Sequence, residues 1–294
     1  MKVVIGINWE QNSTAALMID DQIVACISEE RLSGVKNDER YPKNSIDWLL
    51  KSYNIDPKQR SKICFISKEW SLEYPLTRSY TNFSIKDQLT AQYNYWFPKL
   101  IEGQKKYFDS VFEDKIDFLQ FPGEKFWKKV RNEYTIEIRN DLEKSIQFGQ
   151  KIRADVVIEH LGVSRDKIEF VNHHEGHAFY AYFGEKISGE KTLTITLDAY
   201  GDSENYSAWI AQKSEDSVDF IKLVSGNNFI IGRLYRYVTL ILNMKPNEHE
   251  YKLMGLAPYS KSEYSEQVYE ILSKYQKVEG FNFVDLDRPK DLFF

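Results

Sequence analysis

The order of elements legible in this chain predicts an α/β protein of duplicated lobes, each a mixed sheet packed with helices, and three observations carry that reading. The first is a repeat. Val3 to Asn8 reads as a β-branched strand, Gln11 to Thr14 as a polar loop, Ala15 to Ile19 as a second strand, and Asp20-Asp21 as a turn into Gln22 to Ser28. An amphipathic helix follows from Lys43 to Tyr53. From Lys191 the order returns: strand Thr192 to Leu197, polar loop 198 to 203, strand Tyr206 to Ala211, strand Val218 to Val224, then a helical pattern from Gly232 to Leu242.

The second observation is how the first copy ends. Strand Ile63 to Ser67, a helix near 141 to 161, strand Ile168 to Val171 and a helix opening at His173 complete the alternation of a mixed sheet. The third is that the second copy stops early. After 242 there is a helix near Glu263 to Gln276, and Phe294 is reached about two strands and two helices short of the first copy. Lobe one is expected over residues 1–190 and an incomplete lobe two over 191–294, as a fragment of a longer protein or half of a split one. Residues 68–140 interrupt lobe one with an aromatic-rich insertion, including Trp70, Tyr80, Tyr93, Phe97 and Phe108, spaced as in helices. These rings suit the core of a helical cap or, less simply, a lid over a substrate.

Composition excludes several classes. Lys plus Arg is 39 against 44 for Asp plus Glu, a net charge of −5, without the basic excess that nucleic acid or an anionic membrane calls for. Apolar runs are strand-sized and no signal peptide precedes Val3, so a cytoplasmic protein is expected. Cys26 and Cys64 lie in apolar strand-like runs and read as buried reduced thiols. There is no Walker A loop and no Gly-x-Gly-x-x-Gly, which removes P-loop and Rossmann readings.

Three of the five histidines fall in Asn172-His173-His174-Glu175-Gly176-His177-Ala178. A zinc-protease His-Glu-x-x-His fails by one register, because position 178 is Ala178. His173 and His177 stand four apart, so at a helix start both imidazoles leave one face and could share a metal ion. On spacing alone, a histidine cluster bonded to backbone and water is an equal reading.

Family resemblance enters with four blocks in order. Gly6-Ile7, Ser13-Thr14-Ala15-Ala16-Leu17 and Glu29-Glu30-Arg31-Leu32-Ser33, with Lys36 and Tyr41-Pro42, resemble the opening of the NodU/CmcH-type O-carbamoyltransferases. The 172–178 run resembles their metal helix, shared with tRNA threonylcarbamoyladenosine synthases, and Leu197-Asp198-Ala199-Tyr200-Gly201-Asp202 resembles their Asp-Gly-x-Gly-Asp/Glu loop. Gly232 to Thr239 and Glu250-Tyr251-Lys252-Leu253-Met254-Gly255-Leu256-Ala257-Pro258-Tyr259 are similar to the family's later signatures. Duplicated lobes of this kind have the plan of the actin-like ATPase and sugar-kinase fold.

The resemblance implies metal-assisted transfer of a carbamoyl group from carbamoyladenylate, made from carbamoyl phosphate and ATP, to a hydroxyl of a sugar, polysaccharide or natural-product acceptor. It implies Fe(II), or Zn(II) or Mn(II), held by His173, His177 and Asp198. Asp198 otherwise reads as a turn residue bonding its own loop. Gly201, Asp202, Ser203, Gly232 and Lys252 are expected to bind the nucleotide, and Lys36 to neutralise a phosphate or carbamoyl oxygen unless it is a plain surface lysine. Glu29, Glu30 and Arg31 suit an ion-pair trio, and Met254 to Ala257 close helix packing.

Where the family usually has His-Asp after the first strand, this chain has Gln11-Asn12. Glutamine cannot act as a base, so Gln11 and Asn12 are expected to hold the acceptor by hydrogen bonds, while Glu10 or the metal makes up for the missing base. The expected partners are a small-molecule or glycan acceptor and a YrdC-like domain in a C-terminal part or separate chain, with room for a homodimer and no nucleic acid or membrane. Two other readings compete: a catalytically incomplete half-protein or pseudoenzyme that binds nucleotide or a partner, and a tRNA threonylcarbamoyl transferase relative.

Overall fold

The computed structural model describes residues 2–286 apart from positions 60, 71, 101, 186–188, 216 and 247. The chain begins with β1 (Val3–Asn8), β2 (Thr14–Ile19), β3 (Gln22–Ser28), α1 (Glu30–Ser33), α2 (Lys43–Ser52) and β4 (Ser61–Ile66). The segment that follows is helical: α3 (Glu73–Arg78), α4 (Ile85–Ala91), a π-helical turn (Gln92–Trp96), α5 (Phe97–Leu100), α6 (Phe108–Val111), α7 (Glu124–Glu133) and α8 (Ile136–Arg139). Then come α9 (Leu142–Leu161), β5 (Ile168–Val171), α10 (His173–Phe183), β6 (Lys191–Gly201), β7 (Glu204–Lys213) and β8 (Val218–Gly226). The described chain closes with α11 (Ile231–Ile241), α12 (Glu250–Met254), α13 (Ser262–Leu272), β9 (Gln276–Glu279) and β10 (Asn282–Asp285). Contacts group Met1–Asn82 with Tyr107–His173 as one unit, and Phe83–Lys106 with His174–Phe294 as the other.

The first unit holds a five-stranded mixed sheet in the order β3-β2-β1-β4-β5. β1, β4 and β5 run parallel, and β2 and β3 return antiparallel. Val3, Ile5 and Ile7 alternate into the core with Ile63 and Phe65, and Ile46 and Leu49 of α2 and Ile152 and Val156 of α9 join the same cluster. Trp70, Tyr80, Phe126 and Trp127 of the 68–140 stretch enter it too, so those rings are packing groups. Tyr93, which groups with the second unit, stays 72% exposed.

Two polar devices fasten α2. Pro42 at its N-cap offers no capping side chain, and Glu29 supplies one from far along the chain: Oε1 accepts from Asn44 Nδ2 at 2.7 Å, and Oε2 accepts from Ser45 N at 2.9 Å and Ser45 Oγ at 2.7 Å. Of the expected trio, Arg31, its side chain 76% exposed, pairs with Glu30 at 3.9 Å, while Glu29 turns to α2 instead. At the other device, His160 Nε2 lies 2.7 Å from Asp47 Oδ1 and His160 Nδ1 lies 3.1 Å from the Tyr41 hydroxyl, tying α9 to α2.

In the second unit β6, β7 and β8 form an antiparallel sheet. Phe179, Tyr182 and Phe183 of α10 close on Phe220 of β8. Thr194 and Thr196 are buried, whereas Leu193, Ile195 and Leu197, on the opposite face of β6, are 45%, 57% and 54% exposed.

Several expectations are corrected. The expected loop at 198–203 is mostly strand: β6 continues to Gly201, and Asp202 and Ser203, with φ of 51° and 62°, make a two-residue turn of the kind that suits strand twist. The last helix ends at Leu272 rather than Gln276, because Gln276 opens a hairpin turning at Gly280, whose φ is +62°. Cys26 is exposed on the edge strand β3 and Cys64 is half-buried, so neither is the buried thiol expected. Met254 and Leu256 are 61% and 49% exposed, which removes the close packing expected there.

Glu29→Ala should cost about 2–4 kcal/mol of stability, measured by denaturant unfolding, because it strips buried amide and hydroxyl donors of a charged acceptor. Burial lowers the His160 pKa from 6.5, against the upward pull of the Asp47 carboxylate. The neutral ring is therefore favoured in the folded state, and its contribution is complete above about pH 6.5 and lost as pH falls through the lower folded value. Wild type should lose stability on acidification across that window, and His160→Gln should show a shallower slope in pH-dependent melting.

Candidate metal centre

β5 ends at Val171, and α10 starts two residues later at His173. Its buried face is His174, Ala178 and Tyr182, a stripe at intervals of four. His174, with no exposed surface, places Nδ1 2.6 Å from Thr196 Oγ1; that hydroxyl lies 2.6 Å from Ser207 Oγ, which also accepts from Trp209 Nε1 at 2.7 Å. The middle histidine of the run is thus an internal anchor to β6 and β7.

That anchor sets the register of the next pair. One helical turn on from His174 comes His177, and two strand residues on from Thr196, on the same face of β6, comes Asp198. His177 Nε2 and Asp198 Oδ2 lie 3.2 Å apart. Asp198 opens an irregularity in the β6–β7 ladder, where pairing lapses between Leu197 and Gly201. Its Oδ1 accepts from the Ala199 N–H at 2.6 Å, leaving Oδ2 turned to the imidazole.

His173 shares α10 with His177 at the spacing of one turn. Ligand atoms of His173, His177 and Asp198 all lie within 4.8 Å of one another. Two imidazoles and a carboxylate at that spacing fit Fe(II), Zn(II) or Mn(II) and leave coordination positions for a substrate.

The remaining expected residues fall into groups. Gly201, Asp202 and Ser203 sit with Asp198 at one end of the β6–β7 hairpin, Asp202 being 7% exposed and locked in turn geometry. Gly232 is in the first turn of α11, where a Cβ would meet nothing within 4 Å, and its neighbour Arg233 lies 5.9 Å from the Tyr200 ring. Lys252 is exposed on α12, with its ammonium 5.8 Å from the ring of Tyr251. In the other unit, Gln11 and Asn12 form the β1–β2 turn, Asn12 with a φ of 58°, and Lys36 is exposed after α1. The Ser13 N–H donates to Asp38 O at 2.7 Å, fastening that turn to the Lys36 segment.

Two residues near this site had no signal in the sequence. Ser67, 1% exposed, donates to Glu10 Oε1 at 2.6 Å, and Arg153, also 1% exposed, donates to Ser67 O at 2.7 Å. A separate apolar groove of about 720 Å³ is lined by Leu234, Val238, Met254, Val268 and Leu272 among others. Among the described residues no helix is long and apolar enough to cross a membrane.

Comparison with known proteins gives the site a context. Protein sll1178 of Synechocystis is 23% identical over 265 residues, which is 90% of this chain and 36% of that protein. Nodulation protein NolNO of Sinorhizobium fredii is 25% identical over 266 residues, 89% of this chain and 30% of that protein. Protein MJ1058 of Methanocaldococcus jannaschii is 29% identical over 131 residues, 40% of this chain and 20% of that protein. The chain thus spans 36% or less of the length of these relatives. Residues 3–286 match the family described as carbamoyltransferase N-terminus, a span that holds the histidine helix and the Asp198 strand. The chain belongs to that carbamoyltransferase N-terminal family.

Proposed function

We propose that this chain forms the metal-binding acceptor side of an O-carbamoyltransferase, passing a carbamoyl group from carbamoyladenylate to the hydroxyl of a sugar, polysaccharide or natural-product acceptor. The observation that carries this reading is the convergence of His173, His177 and Asp198 within 4.8 Å in a chain of the carbamoyltransferase N-terminal family. A metal bound there would supply Lewis acidity to a carbamoyl carbonyl, which the carbamoyl nitrogen makes a poor electrophile.

The chain's own residues orient the reactants. Both imidazoles must be neutral to ligate, and Asp198, fixed through Oδ1 to its own backbone, presents Oδ2. In the reaction the acceptor oxygen bonds to the carbamoyl carbon, the bond from that carbon to the adenylate phosphate oxygen breaks, AMP leaves, and the hydroxyl proton passes to solvent. Gln11, exposed in the β1–β2 turn, donates its amide to an acceptor oxygen, and Asn12, held by that turn, helps to orient it. The ammonium of Lys36 faces phosphate oxygens. Gly201, Asp202, Ser203, Gly232 and Lys252 are assigned to the nucleotide, and carbamoyl activation to a YrdC-like domain outside residues 1–294.

The deciding experiment is metal analysis of the purified chain. About one equivalent of divalent metal should be held, and His173→Ala, His177→Ala and Asp198→Ala should each weaken binding 10-fold or more by chelator competition, with melting temperatures little changed. Retention of metal by the His173→Ala/His177→Ala double variant would remove the assignment. In an active assembly, Gln11→Ala should raise the acceptor KM about 5- to 10-fold, the loss of one neutral hydrogen bond, with little change in kcat. Equal kinetic constants for wild type and variant would take Gln11 out of acceptor binding.

A further inference from the structure

We propose that Glu10 is the positioning carboxylate of His173, holding that imidazole from its Nδ1 side so that Nε2 is the atom offered to a metal; this rests on the metal reading given above. The argument starts from the parallel strands of the first unit. β1, β4 and β5 are in register at their carboxyl ends, where Asn8 pairs with Ile66 and Ile66 with Val171. The first residues beyond those ends are therefore neighbours, and ligand-handling groups gather there in open α/β sheets. Glu10, Ser67 and His173 occupy these places, two, one and two residues past their strands.

Each member is held in turn. Arg153, buried in α9, donates to Ser67 O at 2.7 Å and to Lys68 O at 3.0 Å, which fixes the backbone behind Ser67. The Ser67 hydroxyl donates to Glu10 Oε1 at 2.6 Å. Glu10 Oε2 then lies 3.8 Å from His173 Nδ1, within ion-pair reach though beyond a hydrogen bond.

The ring's two nitrogens are unequal as a result. Nδ1 is closed off from solvent and has the Glu10 carboxylate 3.8 Å away. A carboxylate opposite Nδ1 favours the tautomer that carries its proton there, which leaves the Nε2 lone pair for the metal. With one oxygen turned to Ser67 and the other to His173, Glu10 acts through the ligand and does not take the acceptor's proton.

The test uses Co(II) as the probe, titrated into the full chain and followed by visible absorption with chelator competition. Glu10→Ala should weaken Co(II) binding about 10-fold or more, Ser67→Ala should weaken it less, and Glu10→Gln should fall between Glu10→Ala and wild type, because an amide oxygen still turns a negative dipole end toward Nδ1–H without the carboxylate's charge. A ¹⁵N-edited spectrum of wild type without metal should show the His173 proton on Nδ1. Wild-type affinity in Glu10→Ala, or a His173 proton on Nε2, overturns the proposal while leaving the metal reading intact. If wild type takes up no Co(II), the metal reading falls and this proposal with it. Should Glu10→Ala not fold, the Glu10→Gln and Ser67→Ala affinities and the wild-type spectrum decide between the same two results.

Discussion

The hydrogen-bond chain His174–Thr196–Ser207 is the constraint on which the histidine helix depends. It joins three side chains that are all but closed to water, where a buried polar group stripped of its partner costs about 1–3 kcal/mol. Hydrophobic packing alone, such as Phe179 and Tyr182 against Phe220, would tolerate a slip of α10 along the sheet. A directional bond from a ring nitrogen to one threonine does not. With His174 Nδ1 set against Thr196, His177 comes opposite Asp198, and the spacing of the candidate ion site follows from a histidine outside the candidate ligand set.

The first unit answers the same problem by another route. Parallel strands end together, so residues distant in sequence become neighbours without any turn between them: Asn8, Ile66 and Val171 stand in adjacent pairing positions. Arg153 then replaces water around the carbonyls that follow β4, and its guanidinium, 4.6 Å from the Phe170 ring, is accommodated in an apolar core by carbonyl and aromatic partners together. A buried cation that spends its donors on backbone carbonyls stiffens the place where Glu10 is tied down.

Much of this fold was legible because period and turn chemistry are local. β1 alternates buried and half-buried residues as Val-Val-Ile-Gly-Ile-Asn, β5 has the expected bounds, and α9 differs from expectation by one residue at its start. What escaped was long-range. Glu29 caps a helix whose own N-cap is Pro42, and nothing adjacent announces it. Cys26 sits in an apolar run, yet β3 is the edge of its sheet, and a run cannot state its place in a sheet. The pair His173 and His177 was visible as spacing, and His174 was left without a role because its partners lie on strands twenty and more residues away.

Asp198 shows why two readings of one residue need not exclude each other. As a turn aspartate it should bond its own backbone; as a ligand it should offer a free oxygen. A carboxylate has two oxygens, and here Oδ1 accepts from Ala199 N–H while Oδ2 faces His177. The local bond removes rotational freedom that the side chain would otherwise lose on ligation, so the bond that looks merely structural would lower the entropic cost of holding an ion. The lapse in the β6–β7 ladder makes this geometry available, since a regularly paired strand residue could not fold its carboxylate back onto the next amide. The same economy appears at His174, where filling the interior and fixing the register are one act.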